Sequence, residues 1–142
     1  MSERLIQITH NGVTYSGELA NIKSTVLGWA SHGVLSAGLN CEWKSGGVQS
    51  GGYCLDMKKS ENDYSRKGTA FGLDHIMRIM ETVGVPTWEA LTGKQVIVLF
   101  DGKGGWGSPS VGIAGTLNDK ILIFKEHANL WRGSEGMALI WP

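Results

Sequence analysis

A chain of 142 residues is long enough for one domain with a real core, and 42% hydrophobic against 18% charged residues suits a folded protein. Thirteen Lys and Arg balance thirteen Asp and Glu, which argues against a protein that coats duplex nucleic acid through its overall charge while leaving room for a small basic pocket. No run approaches the roughly 18 apolar residues of a membrane span, and MSERLIQITHNG lacks a basic stretch followed by an apolar one, so a cytoplasmic protein is expected.

Twenty-one glycines against three prolines is about twice average glycine usage. The glycines fall between apolar segments, as in the turns and bulges of a β-rich fold. Leu5–Thr9 and Val13–Leu19 flank His10-Asn11-Gly12, a hairpin signal because Asn-Gly accepts the positive φ of a type I′ turn. Asn21–Ala30 reads as a further strand. In the next run Leu35, Ala37, Leu39, Cys41 and Trp43 share one face, while Ser36, Asn40, Glu42 and Lys44 share the other, the period of a half-buried strand.

The stretch from Gly46 to Gly72 organises the middle of the chain. Gly46-Gly47 and Gly51-Gly52 lead into Tyr53-Cys54-Leu55-Asp56; such glycines either hold a ligand against main chain or bend a sheet. By the alternation, Cys41 points with the apolar face and Cys54 with Asp56, so a bridge between them is not expected. A zinc site that added His32 and His75 is the weaker reading beside two free thiols. Lys58–Lys67 reads as a polar loop. Leu73, Ile76, Met77, Met80 and Val83 then form the stripe of an amphipathic helix, with Thr69 as N-cap and Gly84 as the residue after its end. Thr87 caps a short turn through Leu91.

Gln95–Phe100 is nearly continuously apolar, a central strand covered on both faces. Asp101–Ser110 is a second glycine-rich loop carrying Trp106. Val111–Leu117 and Lys120–Lys125 read as a hairpin around Asn118-Asp119, and the tail as a short helix followed by a strand, MALIW. The sum is a single α+β domain: a strongly bent antiparallel β-sheet or small barrel with one main amphipathic helix. Residues 1–22 form an N-terminal hairpin extension, 23–125 the core and 126–142 the tail.

No HExxH, GxSxG, Walker A or CxxC pattern occurs, and Gly102-Lys103-Gly104-Gly105 lacks P-loop spacing. A base cannot be picked out among His10, His32, His75 and His127; His75, beside the helix stripe, reads as a core-edge residue. Binding rather than catalysis is expected, with no metal and no cofactor. Trp106 either folds back on the sheet or offers its face to a nucleobase. Arg66, with Lys67 before the helix start, either is solvated or faces a phosphate. Lys120 and Arg132 carry the same two readings. Together they suit a small anionic nucleotide.

From Lys23 to about Lys120 the chain also resembles a family. STVLGWASHGVLS, GGVQSGGYCLD, RKGTAFGLDHIMRIMETVGVPTWEALTGK and AGTLNDK are similar to pieces of the first-type Thoeris anti-defence proteins. These are phage sponges that sequester cyclic ADP-ribose isomers made by bacterial TIR enzymes; some also take up cyclic trinucleotides. The resemblance implies a homo-oligomer in the cytoplasm of an infected bacterial host that binds its cyclic nucleotide without turnover. It places ligand contacts at Arg66 and Phe71 around the GTAFG motif, and in the region from Phe100 to Asn118. The alternative is a protein-binding inhibitor of a bacterial defence complex, comparable to an anti-CRISPR, with Trp106, Trp131 and Trp141 as anchors.

Overall fold

The computed structural model describes residues 6–30, 33–101 and 109–131. Asn11 (φ 50°) and Gly12 (φ 78°) both take positive φ, as a type I′ turn requires. They join β1 (Ile6–His10) to β2 (Val13–Trp29), with His10 opposite Val13. One long strand thus stands where the sequence reads two; a register shift between Ile22 and Ser24 marks an irregularity in it without ending it. β3 (Leu35–Trp43) and β4 (Gly46–Cys54) follow as a hairpin.

The segment Lys58–Lys67 is not a loop. It lies in a two-stranded ribbon of β5 (Asp56–Ser60) and β6 (Asp63–Gly68), which the sequence hides because, Met57 and Tyr64 apart, its side chains are polar or charged. α1 (Ala70–Val83) starts where Thr69 Oγ1 accepts from Gly72 N at 2.9 Å and ends at Gly84, whose φ is 90°. Its buried face is Phe71, Gly72, His75, Ile79 and Thr82. The expected stripe holds only in part: Leu73 is 67% and Met77 44% exposed, while Met80 and Val83 pack on the core. Thr87 Oγ1 accepts from Ala90 N at the short 3-10 turn Glu89–Leu91. β7 (Gln95–Asp101), β8 (Ser110–Ala114), β9 (Ile121–Ile123) and α2 (Phe124–Trp131) complete the described chain.

The main sheet has seven antiparallel strands in the order β4-β3-β2-β7-β8-β9, with β1 also on β2. β7 is central, as expected. Val96, Val98 and Phe100 enter the main core with Ile22, Leu39, Ile113, Ile79 and Phe124. Leu99, on the other face, packs with Tyr15, Ala114 and Ile123. The sheet bends far enough for β4, its last strand on one side, to meet β8: Ser50 Oγ and Ser110 Oγ are 2.8 Å apart. The domain is therefore α+β, a strongly bent antiparallel sheet with one main helix. Cys41 and Cys54 are free thiols, and burial pushes the Cys41 thiol up to about 12. No described helix is long and apolar enough to cross a membrane.

Candidate ligand-binding cleft

Where β4 curls towards β8, a cleft of about 700 Å³ opens beside the core, within the size range of small-molecule sites. Its aromatic lining is Trp43 at the end of β3, Tyr53 on β4, Phe100 on β7 and Phe124 at the start of α2. Phe100 and Phe124 are 1% and 4% exposed, so they form the floor. Trp43 and Tyr53 are half-buried and offer ring surface. Trp43 meets Phe100 edge-on, with centroids 6.0 Å apart at 74°. Tyr53 packs against Phe124 (6.1 Å), Phe71 (5.9 Å) and His75 (5.2 Å). Burial raises the Tyr53 hydroxyl pKa, so it stays a neutral phenol.

The glycine pairs lie in β4 and form one wall of the cleft, bringing main chain to its surface. A side chain at Gly46 would press on the Trp43 indole at 3.3 Å. Gly51 has φ 79°, and a Cβ there would stand 3.3 Å from Ile79. Behind this wall His75 Nε2 donates to Gly51 O at 2.8 Å. His75 is fully buried; burial drives its pKa down to about 4, against a smaller upward pull from the Gly51 carbonyl. It is neutral at pH 7 and supports the wall rather than meeting a ligand.

The remaining lining is Ser45, Val48, Gln49, Pro109, Ser110, Val111 and Lys125. Among the described lining residues Lys125 is the one cation, and it is exposed. The described lining contains no carboxylate, imidazole or thiol. Hydrogen-bonding groups, ring faces and one positive charge suit a planar, anionic molecule.

Of the residues singled out from the sequence, Phe100 is on the cleft floor. The others described are placed elsewhere. Arg66, on β6, forks onto Asp56: Nε donates to Oδ2 at 2.9 Å and Nη2 to Oδ1 at 3.0 Å. The carboxylate demands this partner because it is 1% exposed. Burial alone would raise its pKa; Arg66, Leu35 N–H and the Cys54 thiol together hold it below the usual carboxylate range. Phe71 is fully buried, one ring behind the cleft and separated from it by Tyr53. Asn118 builds a turn, donating to Thr82 O at 3.3 Å and accepting from Lys120 N at 2.9 Å. Lys120 Nζ lies 3.8 Å from Glu81. Trp106, Arg132, Trp141, His32 and the MALIW strand lie outside the described residues.

The sequence reading missed Trp43, Tyr53 and Lys125. Trp43 ended one apolar alternation and Tyr53 opened the next, so both looked like core; Lys125 reaches the cleft only through the turn from β9 into α2. A second polar cluster also escaped it: His127 Nε2 donates to Asp74 Oδ2 at 2.6 Å, with Arg78 and Trp131 also on Asp74. It ties α2 to α1 and does not line the cleft. No family model, curated protein or solved structure matches this chain.

Proposed function

We propose that the protein binds a small anionic cyclic nucleotide in this cleft and sequesters it without cleavage. The observation that carries the reading is the cleft itself: two accessible rings, a main-chain wall and Lys125, with no described carboxylate, imidazole or thiol in the lining. Stacking on Trp43 and Tyr53 contributes ~1–3 kcal/mol per ring. A sponge with Kd ~1 nM needs about −12 kcal/mol, so main-chain hydrogen bonds and the Lys125 contact to phosphate must supply the remainder. With the resemblance to the Thoeris anti-defence family, the proposed ligand is a cyclic ADP-ribose isomer and the proposed setting the cytoplasm of a phage-infected bacterium. The test is to incubate the protein with cyclic ADP-ribose isomers and cyclic oligonucleotides. Heat on mixing, followed by recovery of the intact compound by mass spectrometry, is the expected result. Absence of heat with every compound would reject binding, and recovery of a cleaved product would reject sequestration.

A second reading, a protein-binding inhibitor of a bacterial defence complex, is favoured by the exposed Leu73, Met77 and Leu130 on the two helices, the last 80% exposed. Trp131 is half-buried and bonded to Asp74, which weakens it as an anchor. A stoichiometric protein partner recovered from host lysate, with no bound nucleotide, would replace the first reading by this one.

A further inference from the structure

Two hollows share one strand. Besides the cleft, a second hollow of about 400 Å³ opens on β2, β3 and β4. Gly46, Gly47, Val48 and Gln49 line both. The register sets the two on opposite faces of the sheet, because opposed residues of an antiparallel pair share a face. Gly46 is opposite Trp43, a cleft residue, and Gly47 is opposite Glu42, which lines the second hollow. A Cβ at Gly46 would meet the Trp43 indole at 3.3 Å, whereas one at Gly47 would stand 3.6 Å from the Glu42 Cβ.

β4 is the last strand of the sheet on its side, and no described strand pairs with its other flank. The two hollows therefore meet around an edge. Glycine leaves the rim at Gly46-Gly47 as bare main chain. In an antiparallel ladder every second residue turns its N–H and C=O away from the partner strand, so this rim offers N–H donors to an anion lying across it.

The outer hollow differs in chemistry from the cleft. Lys23 Nζ lies 3.6 Å from Glu42 Oε2, so the two charges offset each other and draw no phosphate. Their side chains are 69% and 54% exposed, open to a ligand. Beside them Asn40 is held on both sides: its Nδ2 donates to Ser24 Oγ at 2.9 Å, and its Oδ1 accepts from Gln49 Nε2 at 3.2 Å. A carboxylate next to an ammonium matches the edge of adenine or cytosine, where an exocyclic amine stands beside an unprotonated ring nitrogen.

We infer that the ligand straddles the edge of β4. One base lies in the cleft against Trp43 and Tyr53, the phosphate linker crosses Gly46-Gly47, and a second, amino-bearing base enters the outer hollow. There its amine donates to Glu42 and its ring nitrogen accepts from Lys23. The ligand class is a dinucleotide, two nucleosides joined through phosphate; a one-base compound fills the cleft alone. This rests on the cleft as a nucleotide site and adds a second lobe to it.

Calorimetric titration of the parent, Lys23→Ala and Glu42→Ala with AMP and with cyclic di-AMP tests the inference. Both substitutions remove one member of an exposed pair, so circular dichroism and Tm stay as in the parent. Cyclic di-AMP binds the parent about tenfold or more tighter than AMP. Either substitution brings cyclic di-AMP down to near the affinity of AMP and leaves AMP within about twofold. A parent that binds cyclic di-AMP no tighter than AMP, or variants that weaken both compounds equally or neither, would overturn the second lobe while leaving the cleft as a one-base site. No binding of either compound would remove the cleft reading and the second lobe together.

Discussion

Removing the Arg66 side chain separates a binding role from a structural one. In the folded protein its guanidinium donates twice to Asp56, whose other donors are Leu35 N at 3.1 Å and the Cys54 thiol at 3.3 Å. Arg66→Ala leaves a carboxylate, 1% exposed, with only those weaker donors. Breaking a buried pair from one side costs about 3–5 kcal/mol. The Arg66 side chain is itself 27% exposed, so water reaches the vacated space and the expected loss is about 2–3 kcal/mol. For a domain of this size that lowers Tm by about 6–12 °C. The pH dependence fixes the cause. In the parent, the Asp56 pKa is below its unfolded value of 3.8, so its contribution is present above pH 3.8 and is lost as pH falls through the folded value. In Arg66→Ala, burial acts with less opposition and the folded pKa rises, so protonation in acid relieves the variant. The stability gap between the two proteins therefore narrows below about pH 4. Urea unfolding of both proteins at neutral pH and near pH 3 measures it. An unchanged Tm in Arg66→Ala, or a gap that widens in acid, would refute this account of Arg66.

Three further predictions concern the elements that position the cleft. His75 has a pKa of about 4 against 6.5 unfolded, so the unfolded chain takes up a proton first as pH falls; stability present above pH 6.5 is lost towards pH 4. The loss from pH 7.5 to pH 5 is about 2 kcal/mol, and His75→Gln should flatten the urea-derived stability profile by that amount; equal slopes in the two proteins would contradict it. Gly72→Ala would drive a Cβ into Leu55 O, forcing α1 off its seat at a cost of about 1–3 kcal/mol, visible as a lower urea midpoint with unchanged m. Thr69→Ala, which removes both the cap to Gly72 N and the bond to Leu55 O at 2.8 Å, should cost about 1–2 kcal/mol in the same assay.

Local chemistry was legible where the chain leaves few choices. Asn11-Gly12 tolerates the two positive φ angles of its turn, Thr69 and Gly84 bracket α1, and the QVIVLF run can only be buried on both faces. The face of α1 was not legible, because hydrophobicity cannot see which polar side chains find a hydrogen bond inside. His75 and Thr82 are buried since each has its hydrogen bond, to Gly51 O and to Arg78 O, and Gly72 lets the helix start approach Leu55. Leu73 and Met77 are exposed as a consequence, while Met80 and Val83 still pack on the core. The β5–β6 ribbon offered one usable signal, Asp56 and Arg66 as opposite charges on either side of a short polar turn. The cleft offered less. Its glycine wall stood out in the sequence, but Trp43, Phe100 and Lys125 come together only through the curl of the sheet.

The central claim is that a nucleotide binds in the cleft and not beside Arg66. Calorimetric titration of Trp43→Leu, Tyr53→Leu, Lys125→Ala and Arg66→Ala with a cyclic ADP-ribose isomer, at a temperature where all four are folded, compares the two places directly. Each lost ring contact is expected to weaken binding by about 5- to 150-fold, the equivalent of ~1–3 kcal/mol; Lys125→Ala should weaken it with a reduced salt dependence, and Arg66→Ala should leave affinity within about twofold. Undiminished affinity in the three cleft variants, with the loss confined to Arg66→Ala, would contradict it.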